Sequence, residues 1–513
     1  MTDVVFAFEV HQPFRIKKTY FWQHEMFQRV RKDKLFDYYF DRDKDLEIFE
    51  RVSRKCYFPT NRILLNLIDK FKHEKRKVKV AFSISGVFLE QCERFNKDVL
   101  ESFKQLAETG CVEFLEQTYY HSLSGLYPVR DEFEEQVKMH KQVMRDLLHF
   151  EPVIFENTEL LYNNAIAKVV EKMGYVGIYM EGVERVLKDR LPNYVYTAKG
   201  CKDLKVLLRN YKLTDDIGFR FSAKWWDGWP LTAGKYASWL DVTPGHCINI
   251  FPDYETFGEH HWPETGIHDF LSQLLVEILV HKNLNMATPS EVIKRHKPVG
   301  EVDVPELSAI SWADQERDTS CWLGNTMQWA YYTTARDMEQ LVKESRDPDF
   351  TRNWRYFQIS DHLYYMFTAG GAPGEVHSYF SPYGNPIDAF VTCQSALADF
   401  EMRLRLFTVA AKEPFKFYSG VGEKKYIGVN ALSLKGFIDA VSKMNTQNLE
   451  FHNGRGDFES WAKFSLSSKE LADEFREISK SELEGEELRA AIAKTAKKHF
   501  AELHKKTQDL GYY

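Results

Sequence analysis

The 513-residue sequence predicts an α/β fold, in which an incomplete (β/α)7 TIM-like barrel is followed by a helical domain and a small C-terminal α/β module. Short apolar runs rich in β-branched and aromatic residues recur along the first part of the chain, and helical periodicity follows most of them. This alternation is typical of parallel strands joined by crossover helices. Seven such runs occur, one fewer than the eight strands of a complete barrel.

The predicted barrel occupies residues 1–300. Its strands are Val4–Val10, Val78–Ile84, Val112–Glu116, Val153–Glu156, Val176–Met180, Val206–Asn210 and Cys247–Phe251. Its helices are Asn61–Phe71, Phe95–Thr109, Asp131–Leu148, Ala165–Met173 and Ile267–His281, and a last helix begins at Pro289. Gly110 and Gly174 directly follow two of these helices, and glycine is common there because it tolerates the left-handed backbone of a helix end.

Two further parts are predicted after the barrel. Residues 301–412 are expected to form a helical domain that completes the active-site cleft, with one Gly/Pro-rich loop at Gly370–Gly374. Residues 413–513 are expected to form a separate module, with strands near Phe415–Tyr418 and Tyr426–Val429 ahead of amphipathic helices. The sequence assigns no function to this last module.

Composition and charge argue against several functional classes. The net charge of −7, with acidic and basic residues interspersed, argues against general affinity for nucleic acid or an anionic membrane. No stretch approaches the roughly 20 uninterrupted apolar residues that a membrane span needs. The first residues, MTDVVFAFEV, lack the pattern of a secretion signal and are typical of a strand.

The cysteines and the absence of certain motifs argue against further classes of protein. Seven cysteines are scattered without a C-x-x-C pair, which argues against a disulfide framework or a zinc site and favours a reducing compartment. Nucleotide-binding and zincin motifs are absent from the sequence. We therefore expect a cytoplasmic protein that uses no metal and no cofactor, and a homo-oligomer is compatible with the sequence.

Polar and titratable residues are concentrated where the predicted strands end. These residues are, in chain order, His11, Gln12, Glu90, His121, Glu159, Asp253, Tyr254 and Glu255. Barrel enzymes build their sites from loops at the carboxyl ends of strands. The sequence therefore predicts that these side chains meet in one site.

Glu159 lies in FENTELLYNN, directly after an apolar strand, with Asn157, Thr158 and Asn163 around it. Hydrogen bonds from such neighbours keep a carboxylate charged at neutral pH, as a nucleophilic carboxylate requires. The alternative is a helix N-terminus, with Thr158 or Asn157 as the cap and Glu159 in the first turn. The segment alone does not decide between the two.

Asp253 lies in INIFPDYETFGEHHW, where an apolar strand ends in a dense group of titratable residues. Proximity to Glu255 and to aromatic surface raises the pKa of a carboxyl, as a general acid requires, and spacing does not decide which of the two is the acid. The alternative is a surface loop with a helix cap. In a retaining glycosidase, a pair such as Glu159 and Asp253 lies roughly 5–5.5 Å apart.

Other residues of these segments suit the binding of a sugar. His11 and His121 are placed to hydrogen-bond sugar hydroxyls around the cleaved bond, although a single histidine is more often structural. Trp225, Trp226 and Trp229 in KWWDGWP are either platforms for sugar rings or a buried apolar corner.

These segments resemble the motifs of glycoside hydrolase family 57, and most closely those of its archaeal-type α-amylase branch. The resemblance extends over roughly residues 1–410. The matching segments are HQP at His11–Pro13, SISGVFLE ending in Glu90, NTELLYNN with Glu159, FPDYETFGEHHW with Asp253 and ERDTSCWLGNTMQ with Trp322. Several motifs in the family's order are far more specific than any one of them.

The resemblance implies a barrel of the predicted kind, retention of anomeric configuration and no need for calcium. It implies Glu159 as the nucleophile and Asp253 as the general acid and base. It further implies Glu90, His121, Asp361 and His362 as residues of the cleft. The residues expected to contact the substrate are His11, Gln12, Glu90, His121, Trp225, Trp226, Trp229, Tyr254, Glu255, Trp322, Asp361 and His362.

The expected function is cleavage of α-1,4-glucosidic bonds in an α-glucan or maltooligosaccharide by double displacement. Transfer to a sugar hydroxyl instead of water would make the protein a 4-α-glucanotransferase or a glycogen branching enzyme. A metal-dependent carbohydrate deacetylase or mannosidase-like enzyme is a second alternative, with Asp253, His260, His261 and His11 as ligands. A glucan-binding protein that lacks catalysis is the third.

Overall fold

The computed structural model describes residues 1–369, 380–422 and 425–513. The predicted loop Gly370–Gly374 lies outside the described residues. The chain forms two compact units. The first contains Met1–Arg15, Asp41–Trp329 and Gln358–Ser381, and the second contains Ile16–Phe40, Ala330–Phe357 and Pro382–Tyr513. The predicted domain boundaries near residues 300 and 412 stay predictions.

The first unit is built on one ten-stranded sheet. Its strands are β1 (Thr2–Val10), β2 (Val80–Ile84), β3 (Val112–Leu115), β4 (Ile154–Phe155), β5 (Gly177–Glu181), β6 (Tyr196–Ala198), β7 (Lys205–Arg209), β8 (Cys247–Ile250), β9 (Leu284–Met286) and β10 (Glu301–Val302). The seven predicted strands correspond to β1–β5, β7 and β8. The sequence does not predict β6, β9 and β10, because two or three residues of mixed polarity are too short to form an apolar run.

The predicted strands pair with one another in parallel. β1 lies between β2 and β8, β2 also pairs with β3, and β5 lies between β4 and β7. β7 meets β8 at Arg209 and Asn249, and a parallel bridge between Glu116 and Phe155 joins β3 to β4. The pairing thus runs through all seven strands and returns to the first. This arrangement confirms the predicted α/β fold and brings the carboxyl ends of the strands to one edge.

The side chains of β1 explain how the strands position polar groups. Successive side chains of a strand point to opposite faces. Phe6 and Phe8 pack in the core between the strands and the helices, whereas Val5 and Ala7 pack in an inner cluster with residues of the other strands. The row of Val5 and Ala7 continues with Glu9, so the inner face changes from apolar to titratable at the carboxyl end.

Helices connect most of these strands. They are Arg42–Val52, Phe58–Lys70, Gly86–Phe95, Lys97–Glu108, Asp131–Leu148, Asn164–Lys172, Glu184–Leu187, Tyr211–Gly218, Ala233–Val242, Ile267–Val280, Pro289–Arg295, Ser320–Leu323 and Ser360–Tyr364. The predicted helix Phe95–Thr109 is in fact preceded by a second helix. Asn96 separates the two, because its backbone is extended and its side chain caps the later helix by accepting from the N–H of Asp98.

The second unit is helical around one antiparallel hairpin of β11 (Ala410–Tyr418) and β12 (Tyr426–Ser433). Its helices are Leu35–Tyr39, residues 330–337 of Thr326–Asp337, Glu339–Ser345, Pro348–Tyr356, Pro386–Thr408, Leu434–Lys443, Thr446–Gly454, Asp457–Phe464, Lys469–Lys480 and Gly485–Asp509. Phe415, Phe437 and Trp461 pack together in its C-terminal core. Both strands include the residues predicted for them and extend further.

Every helix within the described ranges is too short or too polar to cross a membrane. The cytoplasmic localisation stays a prediction.

Candidate active site

Glu159 follows β4 in a backbone conformation that is rare for a residue with a side chain. Its φ is 60°, in the left-handed region. Two contacts hold this conformation, since the Glu159 carbonyl accepts from Ser311 Oγ at 2.8 Å and from the N–H of Trp312 at 3.4 Å. The next helix is capped instead by Asn163, which accepts from the N–H of Ile166. The geometry therefore differs from the alternative of a helix cap at Asn157 or Thr158.

The carboxylate of Glu159 is surrounded by hydrogen-bond donors. Trp312 Nε1 donates to Oε2 at 2.8 Å, and Ser360 Oγ donates to Oε1 at 2.9 Å. His121 Nε2 lies 3.5 Å from the same Oε1. Donors on both oxygens suit an anionic carboxylate with a fixed orientation.

Asp253 follows β8 and lies within electrostatic range of Glu159. Burial and the negative charge of Glu159 raise the pKa of Asp253 to about 7, against the lowering effects of Arg209 and His121. Its backbone forms a parallel bridge with Glu9 at the end of β1. The structure thus brings together the two carboxylates that the sequence singles out. Near neutral pH a large share of Asp253 therefore holds its proton.

His121 places a positive charge beside Glu159. Burial alone would lower the pKa of His121, but its hydrogen bond with Glu159 and the charge of Glu9 raise it to about 9. Its Nδ1 lies 2.9 Å from Gln117 Oε1, and the amide nitrogen of Gln117 donates to Glu9 Oε1 at 2.9 Å. The protonated imidazole therefore donates to Gln117 through Nδ1 and faces Glu159 with Nε2.

His11 stacks on His121, with ring centroids 4.0 Å apart, but His11 is uncharged near neutral pH whereas His121 is protonated. Burial and the charge of His121 lower the pKa of His11 to about 4. Its Nδ1 lies 2.7 Å from Ser85 Oγ, which itself accepts from the N–H of Phe88, and its Nε2 lies 3.0 Å from Asp361 Oδ2. The neutral ring therefore accepts from Ser85 and donates to Asp361.

A pair of buried acids lies next to these histidines, and sequence reasoning missed it. Burial and the charge of Glu156 raise the pKa of Glu9 well above its usual value, and burial raises the pKa of Glu156 to about 8. Ser83 Oγ donates to Glu156 Oε2 at 2.9 Å. The pair therefore keeps a proton at neutral pH. The available signal was the inward row of β1, which ends in Glu9, two residues before His11 of the HQP segment.

Glu255 does not share the surroundings of Asp253. Tyr57 donates to Glu255 Oε1 at 2.5 Å, and burial raises the pKa of Glu255 to about 8. The charge of Glu159, which acts on Asp253, is not among the main influences on Glu255. Of the two acids that spacing left open, the geometry favours Asp253.

Three residues predicted to contact substrate are buried instead. The exposed fraction is 0% for Tyr254, Trp322 and His362. Tyr254 packs against Phe8 with ring centroids 5.1 Å apart and donates to Asn61 Oδ1 at 2.5 Å. The structure therefore places these three side chains in the interior, and their contact with a substrate stays a prediction.

The remaining predicted contacts differ in exposure. Gln12 is almost buried and accepts from Arg15 Nη2 at 3.2 Å. Glu90 accepts from Tyr119 Oη at 2.9 Å. Trp225 and Trp229 are exposed by 81% and 43%, as platforms require, so the fully buried apolar corner does not describe them. Trp226 packs against Trp239 beside the core.

Two of the four residues suggested as metal ligands already use both ring nitrogens in hydrogen bonds. His261 has Ser222 Oγ 2.8 Å from Nδ1 and the carbonyl of Ile217 3.0 Å from Nε2. Both nitrogens of His11 are also hydrogen-bonded. Within the described part of the chain, no group of three or more histidine, cysteine or acidic side chains is arranged to hold a metal ion.

The chain belongs to glycosyl hydrolase family 57, whose model matches residues 5–305. This membership makes the protein a glycoside hydrolase or transferase that acts on glucans. It is 44% identical over 410 residues to a Methanocaldococcus jannaschii protein named "Putative alpha-amylase". The aligned stretch covers 78% of this chain and 85% of that relative. It is 24% identical over 276 residues to the alpha-amylase of Pyrococcus horikoshii, and it spans 41% of the length of that relative.

Two solved structures show the same fold. The GH57 branching enzyme of Thermococcus kodakaraensis aligns with a TM-score of 0.56 at 14% identity, over 80% of this chain and 90% of that chain. The 4-alpha-glucanotransferase of Thermococcus litoralis aligns with a TM-score of 0.50 at 16% identity, over 81% and 61% of the two chains. At these identities the likeness supports the fold alone.

Proposed function

We propose that this protein is an α-amylase-type enzyme, which cleaves α-1,4-glucosidic bonds of α-glucans and maltooligosaccharides with retention of anomeric configuration. One observation carries the proposal: the electrostatic coupling of Glu159, held by donors on both oxygens, with Asp253, whose pKa is raised to about 7. The name of the relative from Methanocaldococcus jannaschii supports an α-glucan as the substrate.

In the first step, Glu159 is the nucleophile. Its carboxylate oxygen attacks C1 of the sugar while Asp253 gives its proton to the departing glycosidic oxygen, so the new C1–O bond forms as the glycosidic bond breaks. A pKa of about 7 leaves a large share of Asp253 protonated near neutral pH, as this role requires. The product is a glucosyl-enzyme with an ester at Glu159.

In the second step, Asp253 is the base. Formation of the ester removes the negative charge of Glu159, which lowers the pKa of Asp253 and favours its ionised form. Asp253 takes a proton from water, the oxygen of that water attacks C1, and the ester bond to Glu159 breaks. The released carboxylate of Glu159 is again stabilised by the positively charged imidazole of His121 beside Oε1.

Substitution of the two carboxylates tests these roles. Glu159→Gln is expected to lose turnover of maltooligosaccharides and of α-maltosyl fluoride, whose fluoride leaves without a proton from an acid. Asp253→Asn is expected to lose turnover of maltooligosaccharides but to release at least one fluoride per active site. Near-parent turnover of maltooligosaccharides by either variant rules out the assignment.

Product analysis tests the acceptor. Incubation with one pure maltooligosaccharide should give only shorter chains if water is the acceptor. Longer chains identify transfer to a 4-hydroxyl, and α-1,6 linkages identify a branching activity. Binding of glycogen and starch without any product would instead favour a glucan-binding protein that lacks catalysis.

A further inference from the structure

Four charged side chains, three of them buried and Arg317 partly exposed, form a closed set beside the two carboxylates. Glu181 ends β5, Arg209 ends β7, Asp215 lies in the helix Tyr211–Gly218, and Arg317 lies in the loop before Ser320–Leu323. Arg209 donates to Glu181 Oε2 at 2.7 Å and to Asp215 Oδ1 at 2.9 Å. Arg317 donates to the same Glu181 Oε2 at 3.1 Å and to Asp215 Oδ2 at 2.8 Å. Each carboxylate thus joins both arginines, and we name the four residues the charge square.

The charge square is attached to the side of Glu159. Arg317 Nη1 also donates to the carbonyl of Trp312 at 2.9 Å, and the indole of Trp312 donates to Glu159 Oε2 at 2.8 Å. The carbonyl of Arg317 accepts from the N–H of Ser311 at 3.2 Å, and Ser311 Oγ donates to the carbonyl of Glu159 at 2.8 Å. The loop from Ser311 to Arg317 is therefore closed on itself and bonded to both the backbone and the side chain of Glu159.

The charge square is also attached to the side of Asp253. Arg209 Nε donates to the carbonyl of Phe251 at 2.8 Å, just after the end of β8 and two residues before Asp253. The planar guanidinium of Arg209 therefore bonds Glu181, Asp215 and the chain that leads into Asp253 at the same time.

We propose that the charge square is a brace that sets the separation of the two carboxylates, in which Arg317 acts through Trp312 on Glu159 and Arg209 acts through the end of β8 on Asp253. Among the described residues, the hydrogen bonds of the two arginines go to the carboxylates of the square and to backbone carbonyls, and both guanidinium groups also lie over aromatic rings. We therefore assign them as positioning residues. This inference rests on the proposed function, because it concerns the spacing that double displacement needs.

The chemistry of arginine suits this role. Its guanidinium presents five donors in a rigid fork, so one side chain can join two carboxylates and a carbonyl, whereas lysine is a single flexible point charge. Arg317 is fixed further by its ring contact, with the guanidinium 3.9 Å from the centroid of Tyr211. Because a displacement of about 1 Å lowers the rate of a positioned reaction roughly 100-fold, a small shift of the loop is expected to reduce turnover.

The test compares Arg317→Lys with the parent on a maltooligosaccharide. Lysine keeps the positive charge but loses the fork, so kcat is expected to fall at least ~10-fold while KM changes less than ~3-fold. Trp312→Phe removes the indole N–H that donates to Glu159, together with part of the ring, and is expected to show the same split. Because both changes act along one route, the double variant is expected to lose little more than the worse single variant.

Asp3→Asn is the matched control. Asp3 lies at the other end of β1, where it accepts from Arg295 and has His296 Nε2 at 2.8 Å. This substitution removes the charge of a buried carboxylate of the same unit at the opposite end of β1, so it is expected to lower the thermal midpoint and to leave kcat near the parent value. A loss of kcat in Arg317→Lys beyond that of Asp3→Asn, at a comparable midpoint, supports positioning.

Three results would overturn the brace. The first is a folded Arg317→Lys variant whose kcat lies within about twofold of the parent value. The second is a double variant in which the fold-losses of kcat caused by Arg317→Lys and by Trp312→Phe multiply. If Arg317→Lys does not fold, a near-parent kcat of Trp312→Phe is the third. A failure of the proposed function is distinguishable, because it requires an inactive parent or an active Glu159→Gln in the same assay.

Discussion

Replacement of Glu159 by glutamine should lower the pKa of Asp253. The substitution removes the negative charge and keeps the shape of the side chain, so it imitates the neutral ester of the glucosyl-enzyme. In the parent, burial and Glu159 are the two largest causes that raise the pKa of Asp253 to about 7. If the second cause is removed, the ionised form of Asp253 becomes easier to reach, which is what its role as a base requires.

The size of the shift follows from the electrostatics of the pair. Two unit charges roughly 5.5 Å apart at an effective dielectric constant of about 20 interact by about 3 kcal/mol, or about two pKa units. Because burial is the larger cause, we expect a fall of about one to two units, from about 7 in the parent to between ~5 and ~6 in Glu159→Gln. At neutral pH the variant would therefore hold Asp253 almost entirely ionised.

Carbon-13 NMR of protein labelled at the aspartate carboxyl measures this pKa without reference to turnover. The signal of Asp253 is identified by its loss in Asp253→Asn. Asp361→Asn is the matched control, because Asp361 is a weaker cause of the raised pKa and its removal should give a smaller fall. An unchanged titration of Asp253 in Glu159→Gln would refute the coupling and, with it, the assignment of the two steps.

Four further outcomes follow from the described geometry. The value of kcat/KM for a maltooligosaccharide should fall as the pH rises through about 7, because Asp253 must be protonated to act as the acid, and a profile that stays flat to a distinctly alkaline pH would contradict this. Asp253→Asn should raise the thermal midpoint at pH 8. The pKa of Asp253 is raised in the folded state, so ionisation of this acid destabilises the parent by ~1–4 kcal/mol above about pH 7. The advantage of the variant should vanish below about pH 4, where Asp253 is protonated in both the folded and the unfolded parent. Calorimetry at both pH values checks it, and equal midpoints at pH 8 would count against it. Trp225→Ala, at a ring exposed by 81%, should raise KM for starch by about 3- to 10-fold with little effect on the thermal midpoint. Trp226→Ala should instead lower the midpoint, because Trp226 packs beside the core. The reverse pattern would disprove the role of Trp225 as a platform for sugar rings. Tyr254→Phe should lower the free energy of unfolding by about 1 kcal/mol in chemical denaturation, because the hydrogen bond to Asn61 is lost, and should leave KM unchanged. A large rise in KM would instead identify Tyr254 as a substrate contact.

The regular part of the fold could be predicted from local patterns. Strands such as β1 and β5 are buried over almost their whole length, so each gives an apolar run that a sequence displays directly. The helix Asp131–Leu148 has the predicted bounds, because its amphipathic pattern is long and uninterrupted. Short pieces such as β10, with two residues, depend on pairing with distant chain and leave no local pattern.

The site was predictable only in part, because some of its contacts join residues that are distant in the sequence. Glu159 and Asp253 lie in motifs at strand ends, where an acidic residue after an apolar run is conspicuous. Trp312 and Ser360 contact Glu159 from 153 and 201 positions further along the chain, so only the folded chain reveals them. Conversely, the motif placed Tyr254 next to Asp253, but neighbouring residues of a loop can point to opposite sides, and Tyr254 points into the core.

The left-handed backbone of Glu159 has a consequence for shortened versions of the chain. The contacts that hold it come from Ser311 and Trp312, and Arg317 and Ser360 lie later still. A fragment ending at residue 305, where the match to the family ends, would contain both acids and none of these supports. Such a fragment would carry the family's signature in its sequence and yet be expected to remain inert, so a minimal active protein has to extend at least through Ser360.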